Sequence, residues 1–270
     1  MTPENADDRL EILETISSFF SALSTSPENA RSFVLPEAHA VIRGPFELAD
    51  GPALVTSTLA DLISRTGSSH AASPCDIAAV SPEPQAWIGG RFAAVWTKIL
   101  VKDKAAQTEI RRGVAELTLF KREEGWRIGA LAEKQWEASA PEPTHTDNVP
   151  AEMVAPTLEL CRLLNEERWD EVESLMVPGG GATYMRFPHT LIMVGWKDFF
   201  SKMRAMLEKA KPGYVEQALM DWDGRSCGDV GVVWTPFTVS LDGEVRIRGF
   251  NVFTMLKTEG RWLISGAQDG

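Results

Sequence analysis

Apolar residues at helical spacing open the chain. Ile12 and Ile16 lie one helical turn apart within a longer apolar stripe, and they predict an amphipathic helix. Pro27 then suits the first position of a second, short helix. An irregular stretch is predicted over 40–45 and a third helix over 52–65. The first part of the chain is therefore expected to be mainly helical.

The next part of the chain has the composition of β-strands. Runs that are rich in β-branched and aromatic residues predict strands over 85–101, 108–122 and 126–136. The segment that follows, 139–150, contains prolines and has no apolar periodicity, which is typical of a linker.

The same order of patterns then occurs again. Val154 and Leu158 continue the helical spacing of the first helix at an offset of 142 residues. The later segments are an irregular stretch over 182–188, a helix over 196–211 and strands over 230–241, 244–257 and 261–267. Asp242-Gly243 between two of these strands is a strong hairpin signal.

Residue identities repeat together with the pattern. Trp96-Thr97 returns as Trp234-Thr235, and Trp126 returns as Trp262 at an offset of 136 residues. A repeat of this length predicts two copies of one domain. The predicted limits are 1–138 for the first domain, 139–150 for a proline-rich linker and 151–270 for the second domain.

Helices followed by long antiparallel strands indicate the α+β class. In the predicted strand 244–257, large apolar residues occupy both faces, with Phe253 on one and Val252 on the other. A sheet that is buried on both faces needs a partner besides its own helices. The other copy is the expected partner, so we predict an intramolecular pseudo-dimer that exists as a monomer or a weak homo-oligomer.

Segments of the second copy carry a family resemblance. They are Trp234-Thr235-Pro236-Phe237, Arg248-Gly249-Phe250-Asn251-Val252-Phe253-Thr254-Met255-Leu256-Lys257 and Gly260-Arg261-Trp262-Leu263-Ile264. With the Asp-Gly turn, they resemble the SnoaL-like branch of the nuclear transport factor 2-like (NTF2-like) superfamily. The resemblance implies that each copy is a cystatin-like α+β cone, in which a curved, mostly antiparallel sheet wraps around N-terminal helices and leaves a pocket. The superfamily includes isomerases, dehydratases, cyclases and non-catalytic binding modules.

Composition narrows the classes of partner. A net charge of −11 without an extended Lys/Arg cluster argues against a nucleic-acid partner. No apolar run approaches the roughly 20 residues that span a membrane, and the N-terminus lacks an apolar signal region, so we expect a cytoplasmic protein with no membrane partner. Metal-ligand and nucleotide motifs are absent from the sequence, and we expect neither a metal nor a cofactor.

Asn251 is the main candidate for binding a ligand in the second domain. It interrupts an apolar strand face, at a position where relatives in the superfamily often carry Asp. An amide cannot act as a proton-transfer base, but it can orient a ligand. The alternative is a structural role, in which the buried amide forms its hydrogen bonds with the backbone. In the first copy the same position is Ala115, which carries no chemistry.

Further candidates surround the expected second-domain pocket. Arg186 and Arg248 stay protonated, and they could bind an anion or brace a loop. Trp222 has no counterpart in the first copy and is a candidate to line the pocket. His189 and Asp221 are candidates for a catalytic base, whereas a surface-loop histidine and a turn-capping aspartate are the structural alternatives.

The first domain offers fewer candidates. His39 and Arg43 are expected at the mouth of its cone. Glu116 interrupts an apolar strand and either lines a site or forms a structural ion pair with Arg112. Apart from arginines, the copies are expected to share no acid or base at matched positions, and Asp269 is expected at a frayed C-terminus.

Two functions are open from the sequence. The first is a protein that binds a small apolar or aromatic ligand in the second domain and acts as a cofactor-free acid/base isomerase, dehydratase or cyclase. The second is a non-catalytic binding or protein-interaction module, with pockets partly filled by side chains.

Overall fold

A computed structural model describes residues 3–48, 51–72, 74–186, 190–208 and 215–270. The chain divides into two compact units, Met1–Pro143 (unit 1) and Thr144–Gly270 (unit 2). This boundary falls inside the segment for which the sequence predicts a linker. No helix in the described ranges combines the length and apolarity needed to cross a membrane.

Unit 1 begins with helices and continues as a sheet. Its helices and strands are α1 (Pro3–Thr25), α2 (Pro27–Ala30), a 3-10 turn (Arg31–Phe33), β1 (Val34–Leu48), β2 (Gly51–Thr58), α3 (Leu59–Ala72), β3 (Cys75–Gly89), β4 (Phe92–Asp103), β5 (Glu109–Arg122) and β6 (Gly125–Glu137). The described strands form one sheet in the order β2-β1-β6-β5-β4-β3. β1 runs parallel to β6, and the other neighbours are antiparallel.

Unit 2 repeats this order of elements. It contains β7 (His145–Thr146), α4 (Ala151–Asn165), α5 (Trp169–Val172), a 3-10 turn (Glu173–Leu175), β8 (Met176–Arg186), β9 (Thr190–Gly195), α6 (Trp196–Leu207), β10 (Val215–Leu219), β11 (Asp223–Cys227), β12 (Val230–Leu241), β13 (Glu244–Thr258) and β14 (Arg261–Asp269). The sheet order is β7-β11-β12-β13-β14-β8-β9, and β10 also pairs with β12. Both units are therefore α+β with mixed sheets, as the resemblance to NTF2-like proteins implies.

The repeat extends to the register of the sheets. A bulge lies between Thr118 and Leu119 where β5 pairs with β6, and its counterpart lies between Thr254 and Met255 where β13 pairs with β14. A bulge adds one residue to one strand and increases the local twist, so it re-aims the side chains that follow. Both sheets therefore bend at the same point of the hairpin.

Several local predictions from the sequence are wrong. The stretches predicted to be irregular, 40–45 and 182–188, belong to β1 and to β8 as far as Arg186. The third helix begins at Leu59, because residues 51–58 pair with β1. The run 85–101 is interrupted by a turn at Gly90, where φ is +62°. In each case, pairing with another strand or a tight turn outweighs local propensity.

A carboxylate on the first helix of each unit fixes the last hairpin. In unit 1, Asp8 accepts hydrogen bonds from Lys121 Nζ and, at 3.2 Å, from Trp126 Nε1. In unit 2, Glu152 accepts a hydrogen bond from Lys257 Nζ at 2.9 Å. The indole of Trp262 donates to the same Glu152 oxygen at 3.2 Å.

The helices of unit 2 share one core cluster with one face of its sheet. The cluster is made of apolar residues of α4 and α6 and of β8, β12, β13 and β14, among them Met153, Leu160, Leu163, Leu164, Trp196, Phe200, Ala182, Tyr184, Val233, Phe253, Met255 and Ile264. We call this face the helix-facing side of the sheet. Burial of these side chains is the main stabilising contribution, at roughly 25 cal/mol per Å² of apolar surface.

Candidate functional site

Asn251 lies on the helix-facing side of unit 2. Phe253 belongs to the core cluster, and Asn251 precedes it by two residues in a regular stretch of β13. Since alternate residues of a strand point to the same side, both side chains face the helices. Asn251 is opposite Thr235 of β12 and opposite Asp269 of β14, so these three residues share that side.

Tyr184 extends this set by one strand. It pairs with Asp269 across the parallel β14–β8 ladder and is itself part of the core cluster. Thr235, Asn251, Asp269 and Tyr184 therefore form a line across four neighbouring strands, which we call the polar row. Directly opposite residues of antiparallel strands have their Cβ atoms about 5 Å apart, which brings Thr235, Asn251 and Asp269 within reach of one small molecule.

The polar groups of the row differ in whether they have hydrogen-bond partners. Thr235 Oγ1 donates to the backbone oxygens of Met220, at 3.2 Å, and of Pro236, at 3.0 Å. Asn251 is 6% exposed, and its Nδ2 has no hydrogen-bond partner among the described residues. A buried donor without a partner costs about 1–3 kcal/mol. The oxygen of a bound ligand would remove that cost.

Aromatic side chains lie beside the polar row. The Tyr184 ring is 5.6 Å from that of Phe199, and the rings of Trp196 and Phe200 stack at 5.9 Å. Trp196 Nε1 donates to the backbone oxygen of Val177 at 3.1 Å, which fixes the indole. The surroundings of the row on the helix-facing side are therefore apolar and aromatic.

Unit 1 has the same register but different chemistry. Ala115 of β5 is opposite Thr97 of β4 and Glu133 of β6, and Glu133 pairs with Ile42 of β1. At the offsets of the repeat, these positions match Asn251, Thr235, Asp269 and Tyr184. Unit 1 therefore keeps the threonine and a carboxyl but has apolar residues at the other two positions.

The match between Glu133 and Asp269 corrects two expectations. The copies do share an acidic residue at a matched position, at the offset of 136 residues. Asp269 is not at a frayed end, because it lies in β14 and pairs with Asn251 and Tyr184. The offset together with strand alternation could have revealed this pair.

Burial changes the acidity of Glu133. The side chain is 7% exposed, and burial raises the pKa of its carboxyl above the usual value. A hydrogen bond donated by Gln135 Nε2 and the charge of Arg111 act in the opposite direction and are smaller. A carboxyl of this kind holds its proton to higher pH than an exposed one.

Glu116 lies on the opposite side of the unit 1 sheet from Glu133. It is fully buried, accepts a hydrogen bond from Thr118 Oγ1 at 2.8 Å, and its Oε2 has no partner among the described residues. Burial raises the pKa of Glu116 to about 8. The predicted ion pair with Arg112 is wrong, because Arg112 Nη2 binds Glu109 at 2.6 Å.

The other first-domain candidates share that side with Glu116. Glu116 is opposite Ala132 of β6. His39 and Arg43 of β1 pair with Ala130 and Lys134, which point to the same side of β6 as Ala132. They lie on the side of the sheet opposite to Glu133, so the structure does not bring His39 or Arg43 together with its carboxyl.

The remaining second-domain candidates are spread over the unit. Arg248 is exposed, and strand alternation places it on the side of β13 opposite to Asn251. Arg186 ends β8 with its backbone paired to Thr190, and His189 lies outside the described residues. Asp221 and Trp222 are exposed in the connection between β10 and β11, and Trp222 is 48% accessible.

Some residues of the candidate site could not be chosen from the sequence. Tyr184 joins the polar row through the parallel pairing of β8 with β14, which links residues far apart in the chain. The sequence identifies Thr235 as a repeated residue, but only the pairing of β12 with β13 places it opposite Asn251. Over the part of the chain that the structure describes, no three His, Cys, Asp or Glu residues are grouped as metal ligands would be.

Comparison with known proteins finds solved structures that align with part of the chain at low identity. No protein-family model and no curated protein matches the chain. A protein of unknown function with a cystatin-like fold from Nostoc punctiforme is 15% identical, with a TM-score of 0.38 over 45% of this chain and 92% of that chain. An NTF2-like protein with a cystatin-like fold from Novosphingobium aromaticivorans is 17% identical, with a TM-score of 0.39 over 51% of this chain and 87% of that chain. At these identities and TM-scores the alignments carry no argument about the function of this chain.

Proposed function

We propose that unit 2 binds a small, mostly apolar or aromatic molecule that carries a hydrogen-bond-accepting oxygen. The observation that carries this proposal is the buried Nδ2 of Asn251, which has no partner among the described residues and lies between Thr235 and Asp269. The aromatic rings around Tyr184 supply the apolar surface that such a ligand would contact.

The polar row also suits proton transfer next to a carbonyl group. Asn251 Nδ2 would donate to the ligand oxygen and stabilise negative charge that develops there. Asp269, directly opposite, would take up or return the proton, which an amide cannot do. This arrangement supports an isomerase, dehydratase or cyclase activity that uses the side chains of unit 2.

The alternative is a binding module without catalysis. A difference between the units favours it. Unit 1 keeps a carboxyl at the position of Asp269 but has Ala115 in place of Asn251, so a carboxyl at this position does not depend on a catalytic partner amide. Turnover that depends on Asp269 separates the two functions. Asp269→Asn should abolish turnover and retain ligand if the protein is an enzyme.

We further propose that the units arose by tandem duplication. The repeated order of elements and the repeated bulge in the last hairpin support this origin. The intramolecular pseudo-dimer, the monomeric or weakly associated state and the cytoplasmic location stay predictions from the sequence.

Native mass spectrometry of the protein purified from a cell extract tests the binding function. We expect a retained small molecule in the unaltered chain and in Arg248→Ala, which removes an exposed side chain from the other side of β13. We expect its loss in Asn251→Leu, which keeps the size of the side chain and removes the donor. Retention in Asn251→Leu equal to that in the control would exclude the polar row as the binding site.

A further inference from the structure

Glu133 and Gln135 form a polar pair in unit 1, on the side of its sheet that corresponds by the repeat to the helix-facing side of unit 2. They are two residues apart in β6, opposite Ala115 and Gly113 of β5, so both side chains point to the same side. Gln135 Nε2 donates to Glu133 Oε1. Gln135 Oε1 is buried and has no hydrogen-bond partner among the described residues.

We propose that Glu133 and Gln135 form a second ligand site, selective for a protonated primary amine on an apolar body. The inference rests on the proposed function in one respect, namely that ligands bind on the helix-facing side of the unit 2 sheet and on the corresponding side of the unit 1 sheet. The residues and the ligand chemistry differ from those of unit 2.

The hydrogen-bonding groups of this pair determine the polarity of the ligand. The amide nitrogen of Gln135 donates a hydrogen bond to Glu133, and the amide oxygen remains available as an acceptor. An ionised carboxylate is also an acceptor only. A ligand that joins both groups must therefore donate at least two hydrogen bonds, and an ammonium group has three N–H donors.

Charge favours a cation over a neutral donor. Burial raises the pKa of Glu133, and the charge of Arg111 is the smallest of the effects that oppose it. Neither the hydrogen bond from Gln135 nor the charge of Arg111 offsets the loss of water at Glu133, so an additional positive charge would lower its pKa. A bound ammonium would supply that charge, lower the pKa of Glu133 and release a proton when it binds.

The two units would then present groups of opposite polarity on corresponding sides of their sheets, although Asn251 and Gln135 are not at matched positions. Among the described residues, unit 2 has an unpaired donor, Asn251 Nδ2, whereas unit 1 has an unpaired acceptor, Gln135 Oε1. The substitution of Ala115 for the amide of Asn251 removes the donor from unit 1. After duplication, one chain could in this way bind two different classes of molecule.

Isothermal titration with benzylamine tests the proposal on the full chain. We expect binding that Glu133→Gln and Gln135→Leu each weaken by about tenfold or more, because each removes a hydrogen bond to a charged group. Glu137→Gln, an exposed change in the same strand, and Asn251→Leu should leave the affinity unchanged. Benzyl alcohol, which lacks the charge, should bind at least about tenfold more weakly.

Proton release gives a readout that is independent of affinity. Titrations in buffers with different ionisation enthalpies should show protons released on binding below the raised pKa of Glu133, and no release in Glu133→Gln. Absence of benzylamine binding at millimolar concentration, or equal affinity in Glu133→Gln and Glu137→Gln, would overturn the proposal. Gln135→Leu provides the same comparison if Glu133→Gln does not fold.

The outcome is separable from that of the function proposed for unit 2. Benzylamine binding that is lost in Glu133→Gln supports the unit 1 site even if no molecule is retained in unit 2. Retention of a molecule that depends on Asn251, without benzylamine binding, supports unit 2 and rejects the unit 1 site.

Discussion

Asn251 and Asp269 are directly opposite each other on β13 and β14, and both face the helices of unit 2. The amide is buried and its nitrogen is unpaired among the described residues, whereas the carboxylate sits at the end of the last strand. The proton transfer that we propose beside a carbonyl group needs a hydrogen-bond donor and a carboxylate on one apolar surface.

The unpaired amide should cost stability when no ligand is bound. We expect Asn251→Leu to raise the free energy of unfolding of ligand-free protein by about 1 kcal/mol, because it replaces a buried, unsatisfied donor with an apolar group of similar size. Chemical denaturation of both proteins measures the difference. A loss of more than about 1 kcal/mol in the variant would mean that the amide has a structural partner.

Glu116 should make stability depend on pH. Its folded-state pKa of about 8 lies above the ordinary value of 4.5, so the folded state holds the proton longer than the unfolded state. This contribution is complete below pH 4.5 and is lost as the pH rises towards about 8. We expect stability to fall over this window and the fall to be smaller in Glu116→Gln.

Thermal unfolding between pH 5 and pH 9 (roughly the window of this titration) measures that effect. Glu137→Gln, an exposed change in β6, is the matched control and should keep the slope of the unaltered protein. Equal slopes in Glu116→Gln and in the control would show that Glu116 does not titrate as a buried group.

The two carboxylates that fix the last hairpins should differ in how much they contribute to the stability of the protein. Asp8 has a side chain that is 11% exposed, whereas Glu152 is 63% exposed. We expect Asp8→Ala to destabilise the protein by about 1–3 kcal/mol, because the buried indole nitrogen of Trp126 loses its partner. Glu152→Ala should have a much smaller effect, since water can replace it. Denaturant midpoints that fall equally in both variants would contradict this order.

Gly249 should not tolerate a side chain. A Cβ atom there would lie 2.6 Å from the backbone oxygen of Gly270 and 2.8 Å from the Phe237 ring. We expect Gly249→Ala to lower the free energy of unfolding by about 1–3 kcal/mol through overpacking. Gly243→Ala is a useful comparison, because Gly243 has no atom within 4 Å of such a Cβ and its cost would come from its φ of +77° alone.

The sequence predicts much of the fold and less of the site. The strands 230–241 and 244–257 and the turn between them follow from alternation and from Asp242-Gly243, both of which have positive φ. β2 and the later part of β1 could not be predicted, because their formation depends on pairing with each other and with β6 rather than on local composition.

The same reason limits prediction of the site. Asn251 is visible as a polar interruption of an apolar strand, and the offset of the repeat would have matched Glu133 of unit 1 with Asp269 of unit 2. Tyr184 enters only through a parallel pairing with β14. Arg248 and Asn251 are only three residues apart in the sequence, but alternation places them on opposite sides of the sheet.

The side-chain amide signal of Asn251 in a ¹H–¹⁵N spectrum tests the ligand site most directly. Its assignment follows from the signal that disappears in Asn251→Leu, and Asn165, whose Nδ2 donates to the backbone oxygen of Gln217 at 2.9 Å, is an internal control. We expect the Asn251 signal to move when the co-purified molecule is removed, while the Asn165 signal stays. An Asn251 signal that does not move when the ligand is removed would contradict binding at the polar row.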